Sequence, residues 1–163
     1  MTKLSCKGCT FGRVVAATDK KDPNIPYGTI LKHFSKMISN TTIKGMQTRV
    51  AFRSTLRYDP HLAMEDQAIK KIFVGEMLSV AGSQRGMKLG TVMMIQSMEI
   101  AREKDCEGYF AALSGIYSQK IYKDLGFSWM KELVYANFKD KDGNVILDDT
   151  REHKFMVTAY KKL

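Results

Sequence analysis

FVGEMLSVAGSQRGMKLGTVMMIQSMEIAREK, Phe73 to Lys104, is the stretch whose reading decides the fold. Phe73 to Val80 has the apolar, partly β-branched make-up of a strand covered on both faces. A short polar loop with two glycines, Gly82 and Gly86, follows. From Leu89 to Lys104 the pattern becomes helical, with Leu89, Val92, Met93, Met98 and Ile100 as the expected buried face. A strand that turns through glycines into a helix N-terminus aims main-chain N–H groups and the positive end of the helix dipole at one point, where a phosphate is stabilised. Arg85, Gly86, Met87, Lys88, Leu89, Gly90 and Thr91 are therefore the expected cradle for the pyrophosphate of a nucleotide-bearing cofactor.

Downstream, GYFAAL (Gly108 to Leu113) reads as a buried strand, and Ser114 starts a second helix that stops at Gly126. Phe127 to Phe138 reads as a strand, KDKDG (Lys139 to Gly143) as a turn and Lys154 to Tyr160 as a last strand. Upstream, Lys70 to Val80 is the full extent of the central strand. Thr48 to Asp59 reads as loop with some helix ahead of Pro60. Tyr27, Ile30, Leu31, Phe34, Met37 and Ile38 mark one face of a helix that begins at Pro26 and closes at Asn40. FGRVVAAT (Phe11 to Thr18) is an early strand. The order predicts one α/β (α+β) domain over residues 1–163, a mixed central sheet with helices on both faces.

The chain has 163 residues, 44% of them hydrophobic and 26% charged, which excludes disordered and fibrous classes. No apolar run approaches the about 20 residues of a membrane span. MTKLSCKGCTFGR at the N-terminus lacks a signal-peptide core, so a cytoplasmic location and no membrane partner are expected. The net charge of +9 suits a polyanionic partner, but the basic residues are dispersed and form no nucleic-acid-binding motif, so no nucleic acid is expected. Three cysteines argue for a reducing compartment. Cys6 and Cys9 form a CxxC with no second ligand pair, and His33, His61 and His153 are scattered, so no metal is expected.

LSVAGSQRGMKLG (Leu78 to Gly90) resembles the acetyl-CoA motif of the GCN5-related N-acetyltransferase (GNAT) superfamily. SGIYSQKIYKDLGF (Ser114 to Phe127) is similar to that superfamily's second motif, a helix ending in Gly-Phe. YANFKDKDGNVILDDTREHKFMVTAYKKL, the tail, is similar to the C-terminal hairpin of the arylalkylamine N-acetyltransferase-like branch of invertebrates. The resemblance implies acetyl-CoA as cosubstrate and a small primary amine as acceptor, with direct transfer in a ternary complex. It also implies that the usual first strand and first helices are missing. The chain would then be a shortened enzyme or, alternatively, a catalytically impaired CoA-binding remnant, and an exposed sheet edge could support a homodimer. Lys88 stands where the R-G-x-G-x-G pattern has glycine. A helical conformation there would tolerate lysine, whereas a positive φ would strain it.

By the same resemblance the main-chain groups of Leu78, Ser79 and Val80 hold the pantetheine arm. Tyr122 stands where the family carries a tyrosine that protonates the departing thiolate, with core packing after Tyr117 as the other reading. Ser114 and Ser118 match serines of the arylalkylamine branch, although Ser114 also reads as a helix N-cap. Glu76, expected on one strand face with Val74, Leu78 and Val80, is either a general base or an ion-paired structural carboxylate. His153 matches a histidine of the family tail and is expected to be non-catalytic.

Overall fold

The computed structural model describes residues 8–18, 59–139, 142–145 and 152–163. Gly8–Ala16 (β1) lies antiparallel to Lys71–Val80 (β2), which runs parallel to Gly108–Leu113 (β3). Ser128–Val134 (β4) and Phe155–Lys162 (β5) complete the sheet, with β5 inserted antiparallel between β3 and β4. The order is β1-β2-β3-β5-β4. Pro60–Gln67 (α1), Leu89–Glu103 (α2) and Ile116–Asp124 (α3) cover it.

Helices lie on both faces, as the sequence predicts. Ala63 and Met64 of α1 pack with Val15, Ile72, Val74, Phe110 and Tyr160 on one side. On the other, Met94, Met98 and Ala101 of α2 and Tyr122 of α3 pack with Phe73, Tyr109 and Val157. The alternation of neighbouring residues along each strand puts Phe73 and Val74 in these different cores.

The expected helix from Pro26 to Asn40 lies outside the described residues, as does nearly all of Thr48 to Asp59. Helix α1, just beyond that stretch, has a clear local cause. Asp59 accepts the His61 N–H at 2.9 Å as N-cap, and Pro60 occupies the first turn, where its missing N–H costs nothing. Helix α2 has the expected extent but a different phase. Its buried residues are Gly90, Met94, Ser97, Met98 and Ala101, whereas Val92 (47% exposed) and Ile100 (45%) face outward. The small residues Gly90, Ser97 and Ala101 let the helix approach the sheet, and a reading that weighs only large apolar side chains misses that. The strand expected from Phe127 to Phe138 ends at Val134 and gives way to a 3-10 turn, Tyr135–Asn137.

One irregularity in β2 sets the geometry at this end of the sheet. Phe11 pairs with Met77 and Gly12 with Gly75, so Glu76 is an extra residue, a β-bulge. The bulge breaks the expected single face of Val74, Glu76, Leu78 and Val80. Val74 points to the α1 core, while Leu78 packs with the α2 core and, like Val80, comes near Gly90 of α2.

Candidate active site

Strands β2 and β3 pair over only four rungs, from Ile72↔Gly108 to Gly75↔Ala111. β2 nevertheless continues to Val80 and β3 to Leu113, so the two strands part into a fork at the bulge. Along β2 the main-chain groups alternate between its two neighbours. Thr10 Oγ1 donates to Met77 O at 3.2 Å from the β1 side, and Ser79 is the partner of Cys9. Leu78 and Val80 therefore turn their N–H and C=O groups into the fork, whereas Ser79 does not. An opened strand edge of this kind accepts an extended, amide-bearing chain by adding it as a further strand.

The N-terminus of α2 caps the fork. A Cβ on Gly90 would stand 2.9 Å from Ile121 Cδ1 of α3, and the ordinary contact distances of 3.8 Å to Val80 Cγ2 and 3.9 Å to Leu78 Cδ2 show that the helix starts against the end of β2. Lys88 is the N-cap residue and makes no side-chain cap bond, and the first intrahelical bond runs from Val92 N–H to Lys88 O. The N–H groups of Leu89, Gly90 and Thr91 precede any intrahelical acceptor, an arrangement able to hold an anion. Arg85 and Lys88 add positive charge, with no acidic residue in the first turn. Of the seven expected cradle residues, Arg85 to Lys88 lie on the loop and Leu89 to Thr91 open α2, beside the fork.

Within that loop Gly86 has φ +84° and Lys88 φ +57°. Of the two outcomes open for Lys88, the left-handed one is realised, and it strains a side-chain-bearing residue. Lys88→Gly is expected to raise stability by about 1 kcal/mol, read as a higher urea midpoint at unchanged slope. An equal or lower midpoint would show that the lysine is not strained.

Tyr122 is 3% exposed, its ring 4.6 Å from that of Phe127 and 6.3 Å, edge to face, from that of Tyr109. Ser97 Oγ of α2 lies 2.9 Å from the Tyr109 hydroxyl. Glu76, with its side chain 7% exposed, is ion-paired with Arg13, whose Nε lies 3.1 Å from Oε1. That pair faces the α1 side of the sheet, away from α2 and Tyr122. Ser114 is not the helix N-cap: Gly115 is, without a side-chain bond, because α3 starts two residues after Ser114. The Ser114 carbonyl instead accepts from Tyr135 Oη at 2.6 Å. Ser118 Oγ donates to Gly115 O at 2.8 Å.

The structure also brings in a residue that sequence reasoning sets aside. His153 Nδ1 accepts the Ile116 N–H at 3.2 Å, so a side chain from the tail satisfies the first turn of α3. Its ring meets Tyr117, which is 68% exposed, edge to face at 6.1 Å. The resemblance of the tail is the available signal. Among the described residues no cluster of His, Cys, Asp or Glu could hold a metal ion, and no helix is long and apolar enough to cross a membrane. An open cleft of about 620 Å³ lined by Gln67, Trp129, Tyr160, Lys161 and Lys162 lies at the opposite end of the strands and shares no residue with the fork.

No protein-family model and no curated protein matches the chain. Solved structures do. The arylalkylamine N-acetyltransferase 2 of Aedes aegypti superposes with a TM-score of 0.70 at 18% identity, over 96% of this chain and 67% of that one. A mosquito arylalkylamine N-acetyltransferase-like protein, 5b, gives 0.66 at 15% identity, over 96% and 68%. The Drosophila melanogaster polyamine N-acetyltransferase, described as forming N-acetylagmatine, gives 0.67 at 13% identity, over 100% and 72%. The fold is therefore the GNAT acyltransferase fold.

Proposed function

We propose that this protein is an acetyl-CoA-dependent N-acetyltransferase acting on a small primary amine of the arylalkylamine type. The observation that carries this reading is the fork between β2 and β3, with the glycine loop and α2 N-terminus at its end. Coenzyme A has complementary parts in the same order: a pyrophosphate for the loop and an amide-bearing arm for Leu78 and Val80. The thioester would lie toward the bulge, where a main-chain N–H facing its oxygen can contribute about 3 kcal/mol to kcat. The amine attacks the thioester carbonyl directly, the carbon–sulfur bond breaks, and the thiolate takes a proton from Tyr122. Ser114, Ser118 and the Tyr117–His153 pair, gathered at the start of α3, form the acceptor end. Glu76 is held by Arg13 on the far face, which supports the structural reading of this carboxylate, and the amine's proton leaves to water.

Acetyl-CoA at a hundred times Kd is expected to stabilise the protein by about 2.7 kcal/mol. A melting temperature unmoved by millimolar acetyl-CoA overturns the proposal. The deep burial of Tyr122 favours a second reading, a CoA-binding protein without turnover. It predicts the same stabilisation but no release of CoA thiol with any of a panel of arylalkylamines.

A further inference from the structure

The far end of the sheet, where β5 finishes and β4 begins, carries a second concave surface that acetyl transfer does not use. The open cleft of about 620 Å³ is walled by Trp129, Tyr160, Lys161 and Lys162 of these strands and by Gly126 just after α3. No acidic residue lines it. Lys161 Nζ stands 3.0 Å from the point a Gly126 Cβ would occupy, which puts the ammonium at the cleft wall. Lys162, the next residue of β5, projects from the opposite face of the strand, so cations flank the strand end on both sides. Lys123, in the last turn of α3, holds its Nζ 5.8 Å from the centre of the Trp129 ring. Among the described residues none of these three lysines is in an ion pair.

The negative end of the α3 dipole accounts for a cation beside Gly126. It accounts neither for Lys162 nor for a tryptophan left 40% exposed at the same place. Tyr160 adds a hydrogen-bond donor. Its ring leans along the sheet toward Gly108, the strand partner of Lys162, where a Cβ would stand 2.9 Å from the hydroxyl oxygen. The hydroxyl therefore lies at the cleft end of the sheet. It is buried and, among the described residues, has no hydrogen-bond partner. Burial first, and then the charge of Glu107, push it above the ordinary tyrosine range, so it keeps its proton. A buried donor is costly until an acceptor reaches it. Cations on both sides, an exposed indole and an unmet donor complement one kind of ligand. We propose that the cleft is a second binding site, for a small organic anion: a carboxylate or phosphate ester that carries an aromatic ring. The ring lies against Trp129, the anionic oxygens meet Lys161 and Lys162 at the strand end, and one oxygen is the acceptor for Tyr160.

Trp129 is the only tryptophan of the chain, so its emission reports on this cleft directly. The test is a titration of the full chain with phenyl phosphate and with phenylacetate, against inorganic phosphate and benzyl alcohol, which carry the anion and the ring separately. At least one ring-bearing anion is expected to change the emission saturably, about tenfold tighter or more than either control, because only it gains both the ring contact and the charged hydrogen bonds. A response to phenyl phosphate alone assigns the site to phosphate esters, and a response to phenylacetate alone assigns it to carboxylates. Lys161→Ala and Lys162→Ala should each weaken binding by about tenfold, the worth of a hydrogen bond to a charged group. Added salt should weaken it as well. Lys162 is exposed, so its variant keeps the fold, and an unchanged urea midpoint verifies this. The proposal is overturned if no probe alters the emission, if inorganic phosphate binds as well as the ring-bearing anions, or if binding survives in Lys161→Ala/Lys162→Ala. None of these outcomes depends on acetyl-CoA, so the cleft and the acetyl-transfer reading stand or fall separately.

Discussion

Tyr122→Phe is expected to lower kcat for amine acetylation by about a hundredfold at neutral pH, at the lower end of what a general acid supplies. The variant keeps the ring, and with it the contacts at 4.6 Å to Phe127 and 6.3 Å to Tyr109. Only the hydroxyl is lost. The leaving group sets the effect at that lower end. An alkyl thiol ionises near pH 8.5, so its thiolate is already a tolerable leaving group at pH 7. The deficit should therefore narrow above pH 9, where the thiolate departs without a proton. Thiol release measured across pH with one arylalkylamine tests both points. A variant within about twofold of wild type throughout would leave Tyr122 a packing residue.

The parts of this site that are legible in the sequence are those with local causes. The change from strand to helix pattern around Arg85 to Thr91 is fixed by nearby glycines and by helical spacing, and the loop forms there. Glu76 is parted from Leu78 and Val80 because a bulge is a relation between two strands. Nothing within Phe73 to Val80 announces that Gly12 pairs with Gly75 while Phe11 pairs with Met77. The expected face of α2 is out of phase because glycine, serine and alanine carry little hydrophobic weight, yet they set how near a helix can lie. His153 reaches Ile116 across 37 residues of chain, a contact that no local pattern encodes. Tyr109 reads as one more aromatic in GYFAAL. Its hydroxyl finds a partner only when Ser97 arrives from α2.

Gly75→Ala joins stability to the site and is expected to cost about 3 kcal/mol, the upper end for overpacking a core. The new methyl would stand 2.7 Å from Tyr109 Cε1 and 2.8 Å from its hydroxyl oxygen. A clash with the far end of a mobile side chain is cheap to relieve, but this ring is closed in by Phe73, Phe127 and Tyr122 and tied at its oxygen to Ser97. The strain must then pass to the backbone of β2, at the last rung before the fork, so acetyl-CoA affinity should fall with stability. Gly82→Ala is the control, because a Cβ there meets nothing within 4 Å and its φ is not positive. By reducing the freedom of the unfolded chain, it should stabilise by about 0.5 kcal/mol. Urea unfolding of both variants at constant slope measures the difference. If Gly75→Ala is as stable as wild type, the Tyr109 ring can move aside and is not fixed under the fork.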